Sequence, residues 1–142
     1  MRSNEEISDT REHCTDITID EVKSYLSKIQ PDIKNNNFTI SRENEKTISF
    51  LESSVYIAST TTIKGILLSL NYKNFCWYQK GETIGDLLFI FRYDGKFIKL
   101  INGGPKEDTL IIYIKTNKKE KGTLVLSFHP SDNPDTLTPL FL

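Results

Sequence analysis

Metal-ligand spacings, long apolar runs and internal repeats are all missing from this chain. Its two cysteines, Cys14 and Cys76, stand in dissimilar contexts without the paired spacing of a zinc site. Free thiols in a reducing cytosol are the favoured reading. No apolar run approaches the roughly 18 residues that a membrane-crossing helix needs. The opening stretch MRSNEEISDTREHCTD is polar and acidic and lacks the apolar centre of a secretory leader. A cytoplasmic protein with no membrane partner is therefore expected.

What is there fits one ordinary domain. The chain has 142 residues, 37% of them hydrophobic and 26% charged, enough for a real core. The formal charge of −1 conceals an uneven distribution. Residues 1–21 hold seven acids and two bases, while the remainder holds 16 bases and 12 acids. Residues 1–17 are expected to form an acidic, flexible tail ahead of a single domain spanning 18–142. A mildly basic body permits an anionic partner without requiring one.

Helical periodicity comes first along the chain. Thr18 followed by Glu21 reads as a capping box opening a helix over residues 19–29, with Val22, Tyr25, Leu26 and Ile29 inward and Pro31 as its stop. A short extended piece is expected at 38–40. A second helix starts from Ser41 or Asn44, with Ile48 and Leu51 facing inward. A third, in STTTIKGILLSLNY, buries Ile63, Ile66, Leu67 and Leu70. After a loop at NFCWYQKGETIG the period falls to two. Four strands are expected, at about 86–93, 96–101, 109–116 and 122–129. The first two meet at Asp94-Gly95, a strong hairpin signal. Helices followed by closely connected strands give an α+β fold with N-terminal helices on a four-stranded antiparallel sheet.

One face of such a sheet is core and the other can be wet. With Leu124, Leu126 and Phe128 inward, alternation sends Ser127 and His129 to the opposite face. The same reasoning places Ile98 and Leu100 inward and Phe97 and Lys99 outward. The open face then gathers Arg92, Lys99, Tyr113, Lys115, Ser127 and His129. Cations of this kind hold a phosphodiester's charge, and His or Tyr can move protons at a 2′-hydroxyl. No carboxylate pair or metal cluster joins them, so a cofactor-free, metal-independent mechanism is favoured. Charged residues on a wet face are, in the bland reading, simply solvated. Arg42 and Lys46, spaced i and i+4, either clamp RNA phosphate or are plain surface. Trp77 and Tyr78, in a loop beside Lys80, either stack on an unpaired base or pack over a sheet edge.

Five segments in order, EVKSYLSKI, FTISRENEKTISFL, IKGILLSLNYKNF, DLLFIFRYDGKFIKL and TLVLSFHPSDNP, resemble the MqsR-like toxins of bacterial toxin–antitoxin systems, within the RelE-like group of mRNA-cleaving ribonucleases. The likeness spans roughly residues 20–135. It implies a RelE-like sheet packed on helices, endoribonuclease (hydrolase) activity on mRNA, RNA binding with ribosome association in some relatives, and neutralisation by a cognate antitoxin protein. Carried over by position, the basic residue after the last strand's Ser-Phe becomes His129, and the lysine of the aromatic-aliphatic-lysine strand becomes Lys99. With Arg92 these are the catalytic candidates. Arg42, Lys46, Lys80, Trp77, Tyr113, Lys115 and Ser127 are the substrate-binding candidates. The family's tyrosine falls on Phe97, which exchanges no proton, and its loop lysine falls near Trp77. Histidine, with a reference pKa of about 6.5 against about 10.4 for lysine, keeps acid chemistry open. The altered tyrosine, the near-neutral charge and the acidic tail support an alternative: a non-enzymatic, immunity- or antitoxin-like protein-binding protein.

Overall fold

The computed structural model describes residues 11–53 and 55–141. Helix α1 (Ile19–Lys34) begins as the sequence specifies. Thr18 Oγ1 accepts from the Glu21 N–H at 3.1 Å, and Glu21 Oε1 accepts from the Thr18 N–H at 2.9 Å. The helix runs through Pro31 for a further turn instead of stopping there. A proline so near the C-terminal end removes only one ladder bond. The added turn buries Ile33 and brings Asp32 to the sheet. Strand β1 (Phe38–Ile40) follows, then α2 (Glu45–Leu51), capped by Asn44 rather than Ser41, and α3 (Thr60–Ser69), capped by Ser59. In α2 Thr47 and Phe50 are buried, Leu51 packs partly buried against the core as expected, and Ile48 is only half-buried. In α3 the expected stripe of Ile63, Ile66, Leu67 and Leu70 is buried.

In place of four antiparallel strands, the described residues form a five-stranded mixed sheet. Strands β2 (Phe75–Lys80), β3 (Leu87–Ile101), β4 (Gly104–Lys119) and β5 (Gly122–Pro130) are antiparallel, and β1 adds to β5 in parallel, giving the order β1-β5-β4-β3-β2. Two differences from the sequence reading have clear causes. FCWYQK is a strand and not a loop. It lacks alternation because both of its faces are covered.

Asp94-Gly95 is no hairpin either. The chain passes straight through it, and the turn lies at Asn102-Gly103, where Gly103 and Gly104 take φ of 102° and 115°. Inside β3, the Arg92 guanidinium engages both Asp94 carboxylate oxygens, at 2.7 and 3.0 Å. The Tyr93 ring lies over Gly95, where an added Cβ would sit 2.2 Å from a ring carbon. An aromatic ring laid over a strand glycine in this way covers backbone that glycine leaves bare.

The core lies between the helices and one sheet face. Tyr25 stacks on Phe89 with ring centroids 3.7 Å apart, and its hydroxyl shares a 2.7 Å hydrogen bond with Thr116 Oγ1. Phe50 meets Phe97 edge-on at 5.7 Å and Phe128 at 6.4 Å. Because β3 is unbroken, the parity of Phe89 and Phe91 continues to Phe97, so Phe97 is core while Ile98 and Leu100 face out. Strand β5 carries a bulge. Lys115 opposes Ser127 and Thr116 opposes Val125, which leaves Leu126 as the extra residue. Val125 and Phe128 are therefore the inward pair, not Leu124, Leu126 and Phe128.

Asp32 fastens α1 to the far strands. Its Oδ2 accepts from Lys118 Nζ at 2.9 Å and from Thr123 Oγ1 at 2.8 Å. Burial works against the carboxylate, but these bonds outweigh it and hold its pKa below the ordinary value. A depressed folded-state pKa adds stability that is present above the unfolded pKa and lost as pH falls through the folded one. Asp32→Asn is expected to destabilise the protein by about 1–2 kcal/mol at pH 7. The gap to the parent chain should narrow below pH of about 4, read by urea unfolding at both pH values. An undiminished gap in acid would mean that the charge on Asp32 contributes nothing.

Candidate functional site

The second face of the sheet carries most of the polar residues singled out from the sequence. Register places Arg92, Tyr113 and His129 in one cross-strand row and Ile90, Lys115 and Ser127 in the next. Tyr113 and His129 stack with centroids 5.4 Å apart, and Lys115 Nζ lies 6.0 Å from the Tyr113 ring centre. His129 Nδ1 is 2.9 Å from the Pro130 carbonyl, so Nδ1 carries the proton it donates there.

This face is not open. Tyr113 and Ser127 are buried, His129 is 1% exposed and Lys115 4%. The segment after β5 crosses one end of it. The Ser131 N–H donates to the Ile111 carbonyl at 2.7 Å, and the Leu140 N–H to the Phe75 carbonyl at 2.8 Å. Between these points Leu137 is fully buried beside Trp77, Ile90 and Tyr113. Arg92 holds the crossing segment: its Nη1 donates to the carbonyls of Leu137, at 3.0 Å, and Pro134, at 3.3 Å. His13 stacks on Trp77 at 3.9 Å. Cys14 makes a two-bond bridge with Tyr78, so this part of the expected tail lies on the fold, and residues 1–10 are outside the described residues. Asp16 accepts a 2.7 Å bond from the Tyr78 hydroxyl. That bond, helped by burial, pushes the phenol up to about 12, and the same bond holds the Asp16 carboxyl down against burial. Both cysteines are free, and burial raises the Cys76 thiol to about 12.

The remaining candidates are scattered. Lys99 is on the helix-side face, seven positions along β3 from Arg92, or about 23 Å at strand rise. Its Nζ sits 5.9 Å from the Tyr56 ring centre. The three residues chosen as catalytic are therefore not together, because the unbroken β3 places odd-numbered Lys99 opposite Arg92. Arg42 precedes the Asn44 cap, so it does not share a helix face with Lys46. It pairs with Glu52 at 2.8 Å, while Lys46 pairs with Asp132. Trp77 and Tyr78 are buried in β2, and Lys80 is exposed at its end.

Helix α2 closes the β5 edge. Asn44 Oδ1 caps the Thr47 N–H, Asn44 Nδ2 donates to Ser127 Oγ at 3.1 Å, and Thr47 Oγ1 accepts from the Phe128 N–H at 2.9 Å. A cleft of about 420 Å³ lies beside it, lined by Glu45, Lys46, Phe50, Tyr56, Asp132 and the end of β5. Among the described residues, no three His, Cys, Asp or Glu side chains converge as a metal site requires, and no helix is long and apolar enough to cross a membrane.

The surface that sequence reasoning missed is at the other end of β3. Residues 55–57 run antiparallel beside it, with Tyr56 opposite Lys99. The Ile57 N–H donates to the Ile98 carbonyl at 3.1 Å, and the Leu100 N–H to the Val55 carbonyl at 2.6 Å. Val55 thus lies across from Leu100 and Ile57 across from Ile98, and the four are 37–48% exposed. Carrying the alternation of Phe89 and Phe91 through Gly95 would have revealed Ile98 and Leu100 as outward. Compared with known proteins, the chain matches no family model, no curated protein and no solved structure.

Arg92 is the cation that fixes the crossing segment. Arg92→Met keeps the aliphatic stem and deletes the guanidinium. A stability loss of about 1–3 kcal/mol is expected, with faster amide exchange at Leu140. Unchanged exchange there would mean that the segment is held by other contacts.

Proposed function

We infer that this is a non-enzymatic protein-binding protein. The observation that carries the reading is the exposed aliphatic group of Val55, Ile57, Ile98 and Leu100 at the distal end of the β3–β4 hairpin. Isolated exposed aliphatics need no explanation, but four in two adjacent cross-strand pairs form a contiguous patch of the kind that marks an interaction site. Covering them contributes on the order of 1 kcal/mol per side chain.

Catalysis on the sheet has less support. Its strongest feature is the row of Arg92, Tyr113 and His129, which is consistent with the resemblance to MqsR-like toxins. Against it stand the burial of Tyr113 and His129, the engagement of Arg92 by Asp94 and two carbonyls, and the position of Lys99 on the other face. An mRNA phosphate would have no exposed cation cluster on that row to meet.

The two readings separate in one set of assays. Purified protein should leave mRNA intact, with and without ribosomes, and its expression should not arrest growth. A partner identified from the source cells should be retained by the parent chain and lost from Ile98→Asp, Leu100→Asp. RNA cleavage that disappears in His129→Ala would overturn the binding reading and restore the ribonuclease toxin with its antitoxin.

A further inference from the structure

The same end of the sheet has an unfilled edge. In the pair formed by Tyr56 and Lys99, both ladder bonds belong to the flanking residues, Ile57 to Ile98 and Leu100 to Val55. That is the non-hydrogen-bonded type of antiparallel pair, in which the central residue's own N–H and C=O point away from the partner strand. The main chain of Tyr56 therefore faces outward, and no described residue hydrogen-bonds to it. Unpaired strand edges of this sort accept another strand.

The two sides of this edge differ in chemistry. One side presents Val55, Ile57, Ile98 and Leu100. The other presents Tyr56, Lys99 and Lys106, and Lys99 stands directly opposite Lys106 across β3 and β4. Like charges placed opposite one another on a sheet repel. Lys106 makes no ion pair among the described residues, and Asp108, on the same face and bonded by the Tyr56 hydroxyl at 2.7 Å, offsets one of the two positive charges. An added strand alternates its side chains between the two faces. One set would lie along Val55 and Ile57 and the other along Tyr56, whose ring centre is 5.9 Å from Lys99 Nζ, with Lys106 a further strand inward.

We propose that an extended segment of a partner protein, alternating aliphatic and acidic residues, adds as a strand to the edge at Tyr56. This deepens the protein-binding reading and rests on it. Main-chain bonds to Tyr56 supply register, the aliphatic positions cover Val55 and Ile57, and a carboxylate beside Tyr56 meets the Lys99 ammonium that leans over its ring.

The test uses the full chain and three labelled eight-residue probes followed by fluorescence anisotropy: a Val-Glu repeat, a Val-Lys repeat, and the Val-Glu repeat with alternate amides N-methylated. The Val-Glu probe is expected to bind saturably and at least tenfold more tightly than either of the others. Lys99→Glu, whose fold is checked by circular dichroism, should weaken the Val-Glu probe at least fivefold and favour the Val-Lys probe. Amide exchange at Tyr56 should slow in the complex. Absent binding, indifference to probe charge or N-methylation, or unaltered exchange at Tyr56 would overturn strand addition. With RNA still intact, such a failure leaves the broader binding reading standing, whereas RNA cleavage removes that reading itself.

Discussion

The unbroken run of β3 is the constraint from which the rest of the architecture follows. Fifteen residues from Leu87 to Ile101 keep one parity, far beyond the usual strand length of about five or six. Phe89, Phe91 and Phe97 are consequently all on the helix side, and Ile90 and Arg92 are on the other. Had the chain turned at Asp94-Gly95, the aromatic face would have been split and the distal hairpin would not exist. Two local contacts favour continuity there: the two-bond grip of Arg92 on Asp94, and the tyrosine ring spread over the bare glycine.

Continuity also divides the sheet into two working halves. The proximal half is enclosed on both sides, by helices on one face and in part by the C-terminal segment on the other. Its polar residues, including His129 and Lys115, are thereby part of the interior and not a surface. The distal half extends beyond β2 and, among the described residues, carries residues 55–57 along its β3 edge. Val55, Ile57, Ile98, Leu100 and Ile101 are exposed in that half.

Local signals were legible in the sequence where local physics decided the outcome. Thr18 with Glu21 marked the start of α1, and the stripe from Ile63 to Leu70 marked the buried side of α3, because caps and helical spacing act within a few residues. The turn was a different matter. Asp94-Gly95 and Asn102-Gly103 are both acceptable hairpin corners by composition, and only packing on either side chooses between them. Taking the earlier one reset the alternation by a residue, which moved Phe97 out, Ile98 in, and Lys99 onto the wrong face. The bulge at Leu126 shifted parity a second time, for Val125. Strand β2 carried no alternation to read, and the C-terminal crossing has no periodicity at all. The row of Arg92, Tyr113 and His129 was legible because the central strands kept their expected phase. Its burial was not, since that depends on segments remote in sequence.

The parallel pairing of β1 with β5 has a consequence for how the chain is made. Phe38 finds its neighbour at Thr123, and Gly122, held at φ 151° against the Asn37 carbonyl, leaves no room for a side chain where the two meet. A ribosome delivers α1 and β1 ahead of the other strands, and β5, which receives β1, is the last of the five to emerge. Until then α1 can meet β3 and β4, through Tyr25 on Phe89 and Thr116, but not β5, where Asp32 accepts from Thr123. Assembly of this fold is thus a long-range event, slow relative to that of a helical bundle of equal size, and β1 stays unpaired until β5 arrives.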